Sequence, residues 1–245
     1  MKSPLRLAHI SDIHLDTDYF GGDANIASRD ECRRVFRLQL DLVLALKPDL
    51  LLLPGDLFDS NRASKETILW SMETLGSLPF PVVMIPGNHD CLTDDQAIFR
   101  RHDFNKVRNV DLLLALEGES RTYEELGVTV WGKAMDAHTP EFRPLEDLPD
   151  PRPGYWNLGM GHGIYVGEDV ESYRSSPVEA RQIESSNYDY IALGHHHALL
   201  DVSAGATRSF YCGAPIPISP ENPGTFVVVD LQTGHAPEVT IHKVK

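Results

Sequence analysis

Cysteine is scarce in this 245-residue chain. Its three residues, Cys32, Cys91 and Cys212, are widely spaced and form no C-x-x-C pair. That count excludes a disulfide framework and reads as free thiols in a reducing compartment, the cytoplasm. Long hydrophobic runs are missing too: none reaches the ~18 residues that a membrane span needs. The opening stretch MKSPLRLAHISD has no long apolar segment and no cleavage site, so it does not read as a secretory leader. Positive charge is in deficit, 22 Lys and Arg against 36 Asp and Glu, a formal net charge of −14. Nucleic-acid binding through a broad basic face is dominated by phosphate neutralisation, and this balance excludes it for the chain acting alone. A local positive site made by metal ions is not excluded. There is no internal repeat and no low-complexity tract.

What remains is ordinary globular composition, 42% hydrophobic and 24% charged, ample for a full core. The first two-thirds alternates strand and helix signals. Residues 5–10, LRLAHI, form a short apolar strand. Ser28 and Glu31 make an S-x-x-E capping box ahead of Val35, Phe36, Leu40, Val43 and Leu46 at helical spacing, and Pro48 ends that helix. Residues 49–56, DLLLLPGD, read as a strand buried on both faces. Ser64 caps a second helix, KETILWSMETLG, and PVVMIPGNHD supplies a third strand. Such units predict an α/β sheet with parallel strands. The later part is richer in strands: VDLLLAL, VTVWG, WNLGMG, YIALGH, RSFYCG, TFVVVD and EVTIHKV. Between Pro140 and Pro153, a segment dense in Pro and charge reads as a surface loop. The expected architecture is one domain over residues 1–245, with two packed mixed β-sheets flanked by helices in four αββα layers.

The strand ends carry the chemistry. The first gives Asp12 and His14 in SDIHLD, and the second gives Asp56 and Asp59 in PGDLFDS. The third gives Asn88, His89 and Asp90 in PGNHDC. A later strand gives His162 in GMGHG, and another gives His195 and His197 in LGHHH. Ligands of open α/β sheets bind beyond the carboxyl ends of strands, so five strand ends bring Asp, Asn and His to one rim. Residues i and i+2 of extended chain face the same way. On that basis Asp12 pairs with His14, His195 pairs with His197, and His196 points elsewhere. Imidazole, carboxylate and amide donors without thiolate select divalent ions such as Mn²⁺, Fe²⁺, Co²⁺ or Zn²⁺. Seven candidate ligands exceed one tetrahedral zinc. They suit two ions about 3.5–4 Å apart sharing a carboxylate.

DIH, GDLFD, GNHD, GHG and GHHH, in this order over residues 12 to 197, resemble the calcineurin-like metallophosphoesterase superfamily. GDLFD, GNHD and ALGHHHALL…YCGAPIPIS are most similar to its SbcD-type DNA-repair exonuclease branch. The resemblance implies two divalent ions, Mn²⁺ first, with Fe²⁺, Zn²⁺, Co²⁺ or Ni²⁺ as alternatives. Asp12, His14, Asp56 and His197 would hold one ion. Asp56, Asn88, His162 and His195 would hold the other, with Asp56 bridging. His89 would face the substrate phosphate outside the coordination sphere, beside Asn88, and Asp90 would orient the His89 ring. A hydroxide bridging the ions would attack phosphorus, while His89 stabilises charge and protonates the leaving alkoxide.

The implied activity is phosphodiester hydrolysis, with a DNA exonuclease as first choice and an SMC-like ATPase as the partner of such an enzyme. The alternative is a small-molecule phosphodiesterase acting on cyclic nucleotides or glycerophosphodiesters. A non-catalytic scaffold on the same fold is disfavoured because every ligand is present. Repair nucleases of this branch carry a C-terminal capping region, and the 48 residues after His197 leave no room for one. Other polar residues take plainer readings. His9 is a packed, hydrogen-bonded histidine. His102, His138, His235 and His242 are surface or supporting residues, and Asp16 and Asp18 cap a loop. Arg62 reads as a solvated loop residue ahead of one that touches a phosphate beside the site, and Arg29, Arg33, Arg34 and Arg37 form a solvated helix face. Cys91 is an inert thiol. Asp59 either stabilises its turn or acts directly.

Overall fold

The computed structural model describes residues 2–17, 29–168, 173–216 and 224–244. In chain order the elements begin with β1 (Leu5–His9), α1 (Arg29–Ala45), β2 (Leu50–Pro54), α2 (Lys65–Gly76) and β3 (Val82–Ile85). There follow α3 (Ile98–Arg101), a 3-10 turn (Phe104–Lys106), β4 (Val110–Leu112), β5 (Glu119–Tyr123), β6 (Val128–Gly132) and β7 (Trp156–His162). The last are β8 (Ile164–Gly167), β9 (Pro177–Glu179), α4 (Ala180–Ser186), β10 (Tyr190–Gly194), β11 (Leu200–Asp201), β12 (Arg208–Tyr211), β13 (Thr225–Leu231) and β14 (Glu238–Lys243).

Two six-stranded sheets result, ordered β14-β13-β1-β2-β3-β4 and β11-β12-β10-β7-β6-β5. The first runs parallel from β1 to β4, as the strand–helix–strand units require, and β13 and β14 join antiparallel. The second is parallel across β12-β10-β7-β6, with β5 and β11 antiparallel at its edges. Leu7, Leu50, Leu52, Val83, Leu158, Tyr190 and Val227 pack between the sheets. A second core, including Val35, Phe36, Leu40, Ile68 and Leu75, fills the space between the first sheet and helices α1 and α2. A third, with Leu145, Ile183 and Tyr188, lies on the outer face of the second sheet. These layers match the expected αββα arrangement.

Local chemistry explains the elements. Ser64 caps α2, its hydroxyl accepting from Thr67 N at 3.2 Å. The expected Ser28 cap of α1 lies outside the described residues, and Glu31 pairs with Arg34. Arg33 is less solvated than its helix position suggested. It donates to Glu66 and Thr67 and stacks over Trp70, fastening α1 to α2. Helix α4, which the apolar pattern did not announce, is started by a reciprocal Glu179–Gln182 capping box and stopped by Asn187 in the left-handed region. Strand β5 also escaped the pattern, because it is a polar edge strand with no buried residue. The segment between Pro140 and Pro153 is irregular, yet Leu145 inside it is buried.

Two buried polar residues give testable consequences. Gln39 faces the core from α1, fully buried, and among the described residues neither its amide nitrogen nor its oxygen has a hydrogen-bond partner. Removing an unsatisfied buried amide recovers its desolvation cost. Gln39→Met is expected to stabilise the fold by about 1–2 kcal/mol, raising Tm by a few degrees; an unchanged or lower Tm would show the amide to be satisfied. His9, as expected, is packed between the sheets, its Nδ1 2.9 Å from the Tyr190 hydroxyl. Burial lowers its pKa to about 3. The unfolded chain takes up this proton below about pH 6.5 and the folded one does not. Stability is therefore lost progressively as pH falls from about 6.5 towards 3, by up to ~1.4 kcal/mol per pH unit. Chemical denaturation of His9→Gln across that window should show a slope shallower by one proton. Parallel curves for variant and wild type would remove His9 as the source.

Candidate metal centre

The expected rim exists at the carboxyl ends of β1, β2, β3, β7 and β10. Its backbone is not extended, however. Asp12, His14, Asp56 and His195 all have positive φ, 56°, 50°, 53° and 99°. Asp12 and His14 therefore meet the other ligands through left-handed turns rather than strand alternation. Such conformations cost energy for non-glycine residues and persist where neighbours hold them. Here the β1 and β2 loops hold each other: Ile13 N and His14 N both donate to Asp56 O, at 2.9 and 3.1 Å. Gly87 permits the close approach of the β3 loop, since a Cβ there would lie 2.3 Å from Asp56 Oδ1.

The seven expected ligands converge. Three groups hold ligand atoms within 4.8 Å of one another: Asp12, His14 and His197; Asp56, His162 and His195; and His14, Asp56 and His89. The first two follow the expected division between ions. Asn88 joins the second, its Oδ1 2.9 Å from His162 Nε2 and 2.7 Å from His195 Nδ1. Asp56 stands between the groups, Oδ2 lying 3.3 Å from His162 Nε2 and 3.7 Å from His14 Nε2. His14 Nε2 in turn faces His197 Nε2 at 3.1 Å. Asp12 receives the His195 backbone N–H at 3.0 Å and lies 3.9 Å from His197 Nε2.

The tautomers fit a cation. His162 Nδ1 donates to the Pro54 carbonyl at 2.8 Å, and His14 Nδ1 donates to Asp59 at 3.1 Å. Each neutral ring then aims its Nε2 lone pair inward, at Asp56 and Asn88 oxygens or at another imidazole. Acceptors facing acceptors need positive charge between them, and a carboxylate or carbonyl behind the ring is the usual second support of a metal-bound histidine. The electrostatics agree. Burial opposes charge on His162, but Asp56, Asp12 and the Pro54 carbonyl raise its pKa to about 9, so without an ion this ring itself takes up the positive charge, a proton that a bound metal would displace. Burial likewise disfavours ionised Asp56, yet His162, His14 and His89 hold it far below the usual carboxylate range. Burial and His162 lower His195 to about 3, keeping it neutral as a ligand must be.

Asp90 departs from expectation, and Asp59 and His138 gain definite supporting places. Asp90 does not orient the His89 ring. Its two oxygens accept the backbone N–H groups of Gly87 and Phe58 at 2.7 and 3.1 Å, so it ties the β2 and β3 loops together from a buried position. The His89 ring is instead held by the Asp59 carbonyl, which accepts from Nδ1 at 2.7 Å. Asp59 thus supports His14 with its side chain and His89 with its backbone, a role its sequence position left open. His138 belongs to the centre's surroundings: its ring lies 5.0 Å from that of His195, and its Nδ1 is 2.8 Å from Ser176 Oγ. No motif flanks it, so no sequence signal could have found it. Asp16 caps as expected, accepting from Ser64 N and Thr67 Oγ1, while Asp18 lies outside the described residues. His196 turns away and packs edge-on to Tyr211. Burial and Asp90 push the Cys91 thiol up to about 11, leaving it an inert thiol.

The family model for calcineurin-like phosphoesterases matches residues 5–199. The chain belongs to the calcineurin-like phosphoesterase family. Among relatives of this phosphoesterase is the uncharacterised metallophosphoesterase YhaO of Bacillus subtilis, 26% identical over 87% of this chain and 53% of its own. Another is the DNA double-strand break repair protein Mre11 of Methanopyrus kandleri, 25% identical over 94% of this chain and 51% of its own. The phosphoesterase thus spans about half the length of these relatives. Its fold is shared by the B. subtilis calcineurin-like phosphoesterase YfkN, with TM-score 0.60, 13% identity and coverage of 100% and 92% of the two chains. It is shared also by TT1561 of Thermus thermophilus, with TM-score 0.62, 11% identity and coverage of 99% and 100%. Among the described residues no helix of the phosphoesterase is long and apolar enough to cross a membrane.

Proposed function

We propose that this phosphoesterase is a binuclear, divalent-metal-dependent phosphodiesterase acting on nucleic acid, in the manner of a DNA exonuclease. The observation that carries the reading is the convergence of seven nitrogen and oxygen donors, lone pairs inward, beside the half-exposed imidazole of His89. Asp12, His14, Asp56 and His197 would hold one ion. Asp56, Asn88, His162 and His195 would hold the other. Bound as a pair, such ions supply a nucleophile from water near neutral pH and neutralise phosphoryl charge. The chain's own part is orientation and proton delivery. With His89 Nδ1 committed to the Asp59 carbonyl, Nε2 is the atom that meets the phosphoryl oxygen and protonates the leaving alkoxide. Asn88, whose Oδ1 meets His162 and His195, would be both a ligand and a contact to the substrate.

Kinship with Mre11 supports the nuclease reading and, with it, an SMC-like ATPase partner. The net charge of −14 favours the second reading, a small-molecule phosphodiesterase. Three free, buried thiols support a reducing compartment, the cytoplasm. The donor set, without thiolate, favours Mn²⁺. Chelation is expected to abolish hydrolysis and added Mn²⁺ to restore it best. The test is a panel of single-stranded DNA, duplex DNA, cyclic nucleotides, an aryl phosphodiester and an aryl phosphomonoester. Full turnover by protein shown to contain no metal would end the binuclear reading. Turnover of cyclic nucleotides without DNA would select the second one.

A further inference from the structure

We propose that Arg62, Lys65 and Arg101 form a phosphate-binding strip that leads a nucleic-acid strand to the metal centre. This rests on the phosphodiesterase reading above and narrows its substrate to a polynucleotide.

The strip is continuous with the site. Asp59, whose carbonyl holds the His89 ring, precedes Arg62 by three residues, a reach of at most ~11 Å. Lys65 opens α2 just beyond. Arg101 ends α3, which is folded onto the same loop: Asn61 accepts from Ile98 N and donates to the Cys91 carbonyl, both at 2.8 Å. The Arg101 guanidinium itself reaches the Asn61 carbonyl at 3.4 Å and the Gln96 carbonyl at 2.7 Å. Arg101 and Lys65 also share a neighbour in His102, whose pKa is lowered by burial and then by those two charges.

The three cations are exposed, and among the described residues none of them forms an ion pair. In this chain, where acids outnumber bases 36 to 22, several other cations are neutralised by a carboxylate. Arg33 is paired with Glu66, Arg34 with Glu31, Arg121 with Asp111 and Arg152 with Glu124. The nearest carboxylate in sequence, Glu66, is thus occupied by Arg33 and does not neutralise Lys65. Solvent-facing cations on neighbouring elements near a phosphoryl-transfer centre match the repeating charge of a phosphate backbone. A strip of three also reconciles nucleic-acid binding with the net acidity, because it needs only a local positive field. Few phosphate contacts predict a modest salt dependence, about 0.7–0.9 in log–log slope for each cation.

The test uses full-length, Mn²⁺-loaded protein and a fluorescein-labelled, phosphorothioate-linked single-stranded oligonucleotide, which keeps its charge and resists cleavage. Anisotropy is read across a salt series for wild type and for Arg62→Gln/Lys65→Gln/Arg101→Gln. The salt slope should fall by about 2, and binding at low salt should weaken about tenfold or more. On a cleavable oligonucleotide, kcat/KM should fall about tenfold relative to that on an aryl phosphodiester. Because Arg101 also ties two carbonyls, Arg62→Gln/Lys65→Gln serves as a second variant that leaves those ties intact, with an expected fall in slope of about 1.4. Unchanged slopes in both variants would overturn the strip, while turnover of the aryl diester would leave the phosphodiesterase reading standing. No turnover of any diester by the Mn²⁺-loaded wild type would overturn that reading instead. Binding of poly-glutamate with the same slope, and of no oligonucleotide, would reassign the strip to an acidic protein.

Discussion

Asp56→Asn is expected to lose both ions together and to lower diester hydrolysis by more than about 10³-fold. Asp56 is shared by two of the three candidate metal groups. It is buried, and it stands within 3.3–3.7 Å of imidazoles from two different strand ends. No other carboxylate in the described centre is shared between groups, since Asp12 belongs only to the group with His14 and His197. The amide is nearly isosteric. It retains an oxygen for the His89 backbone N–H, which Asp56 Oδ1 accepts at 2.8 Å, so the loop should keep its shape. What the variant removes is one negative charge between two sites that both depend on it. Metal content by mass spectrometry, read beside a thermal melt, separates loss of ions from loss of fold. Two tightly held ions in folded Asp56→Asn would show that this carboxylate does not bridge.

His89→Asn should behave in the opposite way, retaining both metals while losing catalysis by about 10²–10⁴-fold on a nucleotide ester. The ring is half-exposed and hangs from the Asp59 carbonyl through Nδ1. It packs edge-on to His14, with centroids 4.6 Å apart. This contact makes the experiment discriminating, because His89 also comes within ligand distance of His14 and Asp56. An acid acting on the leaving group matters less when that group is a good one. Activity on an aryl phosphodiester should therefore fall less than activity on a nucleotide ester. Depletion of one metal in His89→Asn would make His89 a ligand. Equal losses on both esters would remove its role as proton donor.

Much of this could be read from residue order alone. Each ligand lies in a short motif at the end of an apolar strand, and strands of an α/β sheet deliver their carboxyl ends to one rim whatever the loops do. The layers followed from alternating strand and helix signals. The elements that escaped, among them α3, β5, β8, β9, α4 and β11, are short and owe their existence to partners. The polar strand β5 forms because β6 offers a ladder, and α4 is set by a capping box and a left-handed stop.

The sequence by itself determined which side chains reach the centre, because donor type and position at a strand end are local properties. Only the tertiary structure decided how they reach it and what supports them. Left-handed turns at Asp12, His14, Asp56 and His195 are stabilised by hydrogen bonds between loops distant in sequence, and no local propensity encodes them. Asp90 binds two backbone amides rather than the adjacent ring for the same reason: its partners, Gly87 and Phe58, are brought to it by the pairing of β2 with β3. His138 lies on a loop without a motif, and its place beside His195 was set by folding contacts far along the chain.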